Sequence, residues 1–261
     1  MTRLLCTLIV ALTPMLCIAE WKESPELGEH FQSANVMGSF VILDPRTGVM
    51  TGYNQARAAT RFVPASTFKI ANTLIGLSTG AVKDVDEILE YGAEPQPVKA
   101  WERDMSLREA IAMSNVAIYQ TLARRIGTAR MADTVALLNY GNQHIGQVVD
   151  RFWLDGPLKI SAIEQVSFLA KLVSRSLPVS ETSQIQTQNI LLVDQGEGWS
   201  LWAKSGWQNY PDDGVGWWVG WVSAKGAKYP FALNIDMKQA EMGPVRERLV
   251  RLCLKSLGFL R

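Results

Sequence analysis

The segment "FVPASTFKI", residues 62–70, places a hydroxyl and an amine three residues apart in an otherwise apolar stretch. Residues at this spacing share one face of a helix, so Ser66 and Lys69 are expected to lie close together. A serine hydroxyl becomes a nucleophile when a base takes its proton, and a lysine amine can be that base when burial lowers its pKa. A helix start at Ser66 also offers unpaired backbone N–H groups to developing negative charge. The segment therefore indicates a nucleophile and its general base.

The same two residues also fit an ordinary structural interpretation. A Ser-x-x-Lys sequence arises about once by chance in a chain of this length at average composition. Ser66 would then cap the helix, and Lys69 would be a surface residue with its amine in water. On this segment alone, both interpretations of the pair stay open.

Two later segments hold further polar residues where a site can form. "AMSNVAIY" places Ser114 where one helix breaks before the next, so that its hydroxyl can relay a proton. "WAKSGW" places Lys204 and Ser205 on a strand beside Gly206, and this glycine lets a ligand approach the backbone. The alternatives are a second helix cap at Ser114 and an edge strand with a protective lysine. "LNYGN", around residues 140–142, is by itself an ordinary helix C-cap.

Strand patterns at both ends of the chain enclose a helical middle. "GSFVILDPRTGVMTGYN" predicts a hairpin, and "GWSLWAKSGW", "GVGWWVGWVS" and "KYPFALNIDM" predict three later strands. Helices are predicted for "ESPELGEHFQSAN", with Pro25 near its start, and for "GPVRERLVRLCLKSLGF", which begins at Pro244. Between them, "SLREAIAM" and "SAIEQVSFLAKLVSRS" open with capping boxes, and "AIYQTLARRIG" ends on Gly127.

These elements predict an α+β fold with a single domain over residues 20–261. An antiparallel sheet is built from both chain ends, about residues 20–60 and 196–261, and the terminal helices flank it. Residues 61–195 form a central helical lobe. The cleft between the sheet and the lobe is the expected place for a site.

Composition excludes some classes of partner. Hydrophobic residues make up 48% of the chain and charged residues 20%, which is typical of a globular protein with a full core. The net charge is +1 and no basic run occurs, which argues against binding to nucleic acid or to an anionic membrane surface.

The N-terminus, "MTRLLCTLIVALTPMLCIAE", has the pattern of a secretory signal peptide. Its apolar run is far shorter than the roughly 20 residues that a membrane-spanning helix needs. The small residues of "CIA" predict cleavage after Ala19, so that residues 1–19 are removed. A buried N-terminal helix is the alternative, and the large Leu16 disfavours a lipid anchor at Cys17. Cys253 then remains as an inert buried thiol, and no internal disulfide can form.

Taken together and in this order, the motifs resemble those of the class D β-lactamases, the oxacillinases. The resemblance runs from about Glu20 to the C-terminus. It implies the fold of serine β-lactamases and penicillin-binding transpeptidases, and hydrolysis of penicillin-type antibiotics through an acyl-enzyme, which confers resistance. The set comprises Ser66-x-x-Lys69, Ser114-Asn115-Val116, Tyr-Gly-Asn at residues 140–142, "FWLDGPLKIS" and Lys-Ser-Gly at residues 204–206.

The resemblance also implies roles for individual residues. In the family, the lysine matched by Lys69 is carboxylated by carbon dioxide to N6-carboxylysine and is the general base in both half-reactions. Carbon dioxide or bicarbonate is then the cofactor, and no metal is expected. The other matched residues are Ser114 for proton relay, Trp153 for a hydrogen bond to the carbamate, Val116 and Leu154 beside the modified lysine, Lys204, Ser205 and Arg246 for the substrate carboxylate, and Trp101 at the cleft mouth.

One motif departs from the family's pattern. The third motif is usually Lys-Thr-Gly, whereas this chain has Lys-Ser-Gly. Serine keeps the hydroxyl, so binding of the substrate carboxylate should survive. The bulky Trp207 that follows can narrow the cleft and change the substrate range. The backbone N–H groups of Ser66 and Trp207 are expected to form the oxyanion hole.

Two other functions share these motifs. A penicillin-binding DD-peptidase deacylates β-lactams very slowly, and a β-lactam sensor domain stays acylated. The expected partner is a small β-lactam, without nucleic acid and without stable membrane association once the signal peptide is removed. A homodimer is left open. Export across the inner membrane into a Gram-negative periplasm is expected.

Overall fold

Strands from both ends of the chain form one sheet in the computed structural model, which describes residues 20–260. The predicted signal peptide, residues 1–19, lies outside the described residues. In chain order the strands are β1 (Trp21–Glu23), β2 (Gly38–Leu43), β3 (Met50–Tyr53), β4 (Ile88–Leu89), β5 (Met105–Ser106), β6 (Leu192–Gly196), β7 (Trp199–Trp207), β8 (Gly214–Ala224) and β9 (Ala227–Met237). Within the described part, the main sheet has seven strands in the order β1-β3-β2-β9-β8-β7-β6, and β4 pairs with β5 separately.

The two chain ends join where β2 pairs with β9, with Phe40 opposite Leu233. The predicted hairpin is confirmed as β2 and β3, and the three predicted late strands as β7, β8 and β9. Neighbouring strands of the described main sheet run antiparallel except for β1 and β3, which are parallel. The late part of the sheet begins at Leu192 rather than at residue 196. The sequence pattern did not predict β6, because this strand is largely exposed and has no apolar alternation.

The predicted terminal helices cover one face of the sheet. In chain order the described helices are α1 (Pro25–Ser33), α2 (Gln55–Ala59), α3 (Lys69–Ser78), α4 (Leu107–Ala112), α5 (Val116–Ile126), α6 (Thr128–Leu137), α7 (Ala162–Val173), α8 (Glu181–Asn189) and α9 (Val245–Ser256). Phe31 of α1 and Leu249 of α9 share a buried cluster with Trp218 of β8. Cys253 lies in the same cluster, so the predicted burial of its thiol is confirmed, and this burial raises the pKa of the thiol to about 12.

The opposite face of the sheet packs on α7 and the helical lobe. Trp217, the neighbour of Trp218 on β8, belongs to a second buried cluster that also holds Val166 of α7 and Leu74 of α3. Both predicted capping boxes are confirmed, at the start of α4 and of α7. α5 ends before Gly127, as predicted. None of the helices in residues 20–260 combines the length and apolar character needed to cross a bilayer.

Candidate active site

Ser66 lies in a short 3-10 turn, Ala65–Phe68, that leads directly into α3. The regular α-helix begins at Lys69 and not at Ser66, and Ala65, just before the nucleophile, has a left-handed φ of +49°. Such a conformation costs about 1–3 kcal/mol in a residue other than glycine. Pro64 and Phe68 occupy the N-cap positions of the turn and of α3, and the Ser66 hydroxyl bonds the Lys69 amine, so the interpretation of Ser66 as a helix cap is wrong. The first hydrogen bond of the turn runs from the Thr67 N–H to the Pro64 carbonyl at 3.2 Å. The backbone N–H of Ser66 lies one residue before this bond.

The Lys69 amine points at the Ser66 hydroxyl from inside the protein. Lys69 Nζ donates to Ser66 Oγ at 2.6 Å, and the lysine is 0% exposed. The Tyr119 ring lies 5.5 Å from the amine. Burial, together with the charge of Lys204, holds the pKa of Lys69 well below its usual value. The interpretation of Lys69 as a surface lysine is therefore wrong, and its neutral amine can accept the proton of Ser66.

Ser114 and Lys204 meet across the cleft between the lobe and the sheet. Ser114 connects α4 to α5 with a φ of +58° and accepts a hydrogen bond of 2.9 Å from Lys204 Nζ. Asn115, and not Ser114, caps α5 by accepting from the Ile118 N–H. Lys204 is 5% exposed on β7, which has neighbours on both sides, so the edge-strand interpretation is also wrong. Burial and the charge of Arg246 lower the pKa of Lys204 to about 7.

The backbone of β7 leaves the Trp207 N–H unused by the neighbouring strand β8. Gln208 donates its N–H to β8, so alternation along the antiparallel pair leaves the Trp207 N–H facing away from β8. Ala203 has the same orientation, since its N–H donates to Leu191 on that outer side at 2.9 Å. The turn that carries Ser66 packs against β7, and Ser66 and Trp207 line the same cleft. The N–H groups of Ser66 and Trp207 can therefore serve one oxyanion.

Gly206 is the point of closest approach between β7 and this turn. A Cβ at Gly206 would lie 2.9 Å from Pro64 O and 3.2 Å from Thr67 N. The sequence-based expectation was that a ligand approaches the backbone here. The neighbour that requires a glycine is instead the protein's own turn, although Gly206 also lines the cleft.

Arg246, in the first turn of α9, extends the positive charge along the cleft. Its Nη1 donates to Gly206 O at 2.5 Å and its Nε donates to Gly243 O at 3.0 Å. Burial lowers the pKa of the guanidinium to about 10. The guanidinium also lies over the Trp207 ring, 5.4 Å from its centroid. Together with Lys204 and the Ser205 hydroxyl, Arg246 provides a place for an anionic group of a ligand.

The Tyr-Gly-Asn segment fastens the loop that contains Trp153. Asn142 Nδ2 donates to Pro157 O at 2.9 Å, and its Oδ1 accepts from Lys159 N at 3.0 Å. Gly141 has a φ of +56°, and a Cβ there would lie 2.2 Å from Lys159 O. The segment is therefore more than the ordinary C-cap predicted from its sequence. Its hydrogen bonds join Asn142 to Pro157 and Lys159, 15 and 17 residues further along the chain.

Trp153 lies behind the nucleophile and carries an unused donor. Its ring stacks on Phe68, the residue before Lys69, with centroids 5.5 Å apart. Trp153 is 0% exposed, and its Nε1 has no hydrogen-bond partner within the described residues. A buried N–H without an acceptor is costly, about 1–3 kcal/mol, so this position fits an acceptor group added beside it.

The cleft has a volume of about 510 Å³. Nine residues predicted for the site line it: Ser66, Trp101, Ser114, Val116, Leu154, Ser205, Gly206, Trp207 and Arg246. Lys69, Trp153 and Lys204 lie behind this wall, within the buried residues. Sequence reasoning missed the lining residues Pro97, Val98, Asp155, Asn209, Tyr210, Ala240 and Gly243, which come from loops and turns without a periodic pattern. A larger groove of about 780 Å³, between α1 and the start of α9, holds none of the predicted residues.

Comparisons with known proteins agree with this geometry. The family model described as the penicillin binding protein transpeptidase domain matches residues 38–255. Beta-lactamase OXA-5 of Pseudomonas aeruginosa is 38% identical over 235 residues, which cover 89% of this chain and 88% of that protein. Beta-lactamase OXA-48 of Klebsiella pneumoniae is 36% identical over 249 residues, which cover 95% of this chain and 94% of that protein. The crystal structure of FUS-1 (OXA-85), a class D β-lactamase from Fusobacterium nucleatum subsp. polymorphum, has a TM-score of 0.88 and 40% identity, and covers 92% of this chain and 100% of its own.

The sheet, the cleft and the buried Ser66–Lys69 pair are those of a serine enzyme related to the penicillin-binding transpeptidases. The similarity to class D enzymes extends over nearly the whole described chain. The chain therefore belongs to the class D serine β-lactamases.

Proposed function

We propose that this protein hydrolyses the β-lactam ring of penicillin-type antibiotics through an acyl-enzyme on Ser66, and so confers resistance to them. The observation that carries the proposal is the 2.6 Å contact between Ser66 Oγ and a fully buried Lys69 amine. Burial favours the neutral form of an amine, and a neutral amine at this distance is a base for the serine proton.

The first half-reaction uses groups from five residues of the chain. The Lys69 side chain takes the proton of Ser66, whose Oγ attacks the lactam carbonyl carbon. The N–H groups of Ser66 and Trp207 stabilise the negative charge that develops on the carbonyl oxygen. The bond between the carbonyl carbon and the lactam nitrogen then breaks. The nitrogen takes a proton through the Ser114 hydroxyl, whose oxygen accepts a hydrogen bond of 2.9 Å from Lys204 Nζ.

Substrate binding follows from the charges on the sheet side of the cleft. The Arg246 guanidinium and the Ser205 hydroxyl bind the carboxylate that penicillin-type substrates carry. Trp101 and Trp207 add aromatic surface to the cleft that holds Ser66. The lactam carbonyl is thereby held over Ser66, and this orientation is itself a large part of the rate.

Lys69 is further proposed to carry a carboxyl group derived from carbon dioxide. Addition of carbon dioxide needs a neutral amine, and burial favours that form by lowering the pKa of Lys69. The unpartnered Trp153 Nε1–H would donate to the added group. The group would supply an anionic oxygen base for activating the Ser66 hydroxyl and, later, the hydrolytic water.

Nitrocefin turnover tests the proposal against its two alternatives. We expect steady turnover after any burst, whereas a DD-peptidase or a sensor domain would stop after about one equivalent of acyl-enzyme. Ser66→Ala should be folded and inactive, and the matched control Ser174→Ala, at an exposed helix end, should retain the parent rate. A folded Ser66→Ala variant that turns over nitrocefin at the parent rate would contradict the proposal.

Export to a Gram-negative periplasm is part of the same proposal. The signal-peptide pattern of residues 1–19 supports it. Intact mass of the exported protein should correspond to a chain that begins at Glu20. A mass that retains Met1, or that includes lipid on Cys17, would contradict cleavage after Ala19.

A further inference from the structure

Behind the nucleophile's turn, three side chains form a hydrogen-bond chain that the proposed mechanism does not use. Tyr140 Oη donates to Gln165 Oε1 at 3.4 Å, and Gln165 Nε2 donates to Thr67 Oγ1 at 2.8 Å. Thr67 in turn donates its hydroxyl to Pro64 O at 2.7 Å. Tyr140, Gln165 and Thr67 are each 1% exposed, so water does not compete for these bonds.

The hydrogen-bond chain has a fixed direction. Thr67 has a single hydroxyl proton, which goes to Pro64 O, so toward Gln165 it can only accept. Gln165 must therefore donate at its Thr67 end, while its other end accepts from Tyr140. A carboxamide combines a donor and an acceptor in this way, whereas a carboxylate of the same shape accepts at both ends.

The turn that receives these bonds has an unusual shape that the reaction needs. Ala65 adopts a left-handed φ of +49° between Pro64 and Ser66. On one side the turn packs against β7 at Gly206, where a Cβ would not fit. Gln165 of α7 holds the turn separately, through the Thr67 hydroxyl. The orientation of the Ser66 N–H and hydroxyl is therefore fixed between β7 and α7.

We propose that Gln165 is a positioning residue that acts through Thr67 to hold Ser66 in the geometry needed for attack and for oxyanion binding. The inference rests on the proposed hydrolysis of β-lactams. The oxyanion contact is made in the transition state, so its loss lowers kcat and leaves substrate binding nearly unchanged. Both half-reactions form an oxyanion, so acylation and deacylation should slow together.

Gln165→Leu and Gln165→Glu test the proposal. Both should lower kcat for nitrocefin by about 10- to 100-fold, somewhat less than the loss of a whole oxyanion donor, with KM within about threefold of the parent. Affinity for a phenylboronic acid, which forms a tetrahedral adduct on Ser66, should fall in the same proportion as kcat. The glutamate matches the shape of the glutamine but donates to Thr67 only while its carboxyl is protonated, so its loss of kcat relative to the parent should grow with pH.

Gln184→Leu is the matched control. Gln184 is also 1% exposed, and its amide bonds Leu177 and Val179 in the helical lobe away from the cleft. We expect it to lower the melting temperature as Gln165→Leu does, and to leave kcat and boronic acid affinity at parent values. A Gln165→Leu variant that melts earlier but keeps the parent kcat would overturn the proposal.

Thr67 provides a second test if the Gln165 variants do not fold. Thr67→Val removes the hydroxyl at nearly constant volume and should lower kcat, and Thr67→Ser should recover most of that loss. Equal rates for Thr67→Val and Thr67→Ser would overturn the proposal. Failure of the proposed function would look different, because the parent protein itself would then not turn over nitrocefin.

Discussion

Lys204 on β7 donates a hydrogen bond of 2.9 Å to the hydroxyl of Ser114, although the two residues are 90 positions apart in the chain. Lys204 is nearly buried, whereas Ser114 lines the cleft, so the bond links the interior to the substrate side. Ser114 is held there at a φ of +58°, which is strained for a serine. The position of this hydroxyl is therefore maintained at a cost in stability.

Ser114→Gly should make the protein more stable and less active. Glycine adopts a positive φ freely, so the free energy of unfolding should rise by about 1 kcal/mol. Loss of the hydroxyl should slow acylation by about 100-fold or more, since a positioned proton donor contributes that much. Urea unfolding and stopped-flow acylation by nitrocefin measure the two effects.

Lys225→Gly is the control for that substitution. Lys225 has a φ of +52° in the turn between β8 and β9, away from the cleft. It should gain stability in the same way while acylation stays at the parent rate. If Ser114→Gly acylates as fast as Lys225→Gly, Ser114 does not relay a proton.

The stability of the protein should rise with pH between about 7 and 10.5. The pKa of Lys204 is lowered from 10.5 to about 7 by burial and by the charge of Arg246. Across this window the unfolded chain holds a proton that the folded chain has released, so the free energy of unfolding increases with pH. Lys69 contributes in the same direction, because its pKa is lowered too.

Urea unfolding of the parent and of two variants at pH 7, 8.5 and 10 measures this rise. Lys204→Met should make the rise smaller, because one of the two buried lysines that titrate is gone. Lys171→Met replaces an exposed lysine of α7 and should keep the parent slope. A parent slope that is unchanged in Lys204→Met would show that Lys204 keeps its ordinary titration in the folded state.

Arg246→Ala should lower kcat/KM for the substrate. Removal of one partner from a partly buried charge pair costs about 2–5 kcal/mol, which corresponds to a decrease in kcat/KM of about 30-fold or more. The effect should appear mainly in KM, since the substrate carboxylate is away from the reacting bond. Arg248→Ala, at an exposed position two residues on, is the control and should retain parent kinetics. Unchanged kcat/KM in Arg246→Ala would remove Arg246 from the site.

Local signals predicted the elements well. The capping boxes at Ser106 and Ser161 form as expected, because a cap depends on residues three positions apart. The burial of Lys69 was also foreseeable, since the residues on either side of it are apolar. The order of motifs along the chain then indicated the family, which neither the hairpin nor the helices could do.

The shape of the site could not be predicted in this way. The left-handed Ala65 is imposed by contacts from Gly206 and, through Thr67, from Gln165, which are about 100 or more residues further along the chain. Likewise, the part played by Asn142 depends on bonds to a later loop. Cleft walls made by loops carry no periodic pattern at all. Contacts between distant segments, and not local propensity, determine these features.

Trp153→Phe tests whether Lys69 is carboxylated. Phenylalanine keeps an aromatic ring against Phe68 and removes the buried N–H, so a carbamate on Lys69 would lose its donor. We expect deacylation to slow and activity to become dependent on added bicarbonate. Activity of the parent should also fall at acidic pH, where Lys69 is protonated, and bicarbonate should restore part of it.

Trp221→Phe is a closely matched control for this experiment. Trp221 is also 0% exposed with an unpartnered Nε1 among the described residues, but it stacks on Trp202 within the sheet, outside the residues that line the cleft. Removal of its N–H should leave activity and bicarbonate dependence unchanged. Carbon-13 NMR after addition of labelled bicarbonate provides a readout independent of turnover. We expect a carbamate signal in the parent and in Trp221→Phe, and a weaker one in Trp153→Phe. Absence of the signal in the parent, with activity indifferent to bicarbonate between about pH 5 and 8, would mean that Lys69 acts as a plain amine.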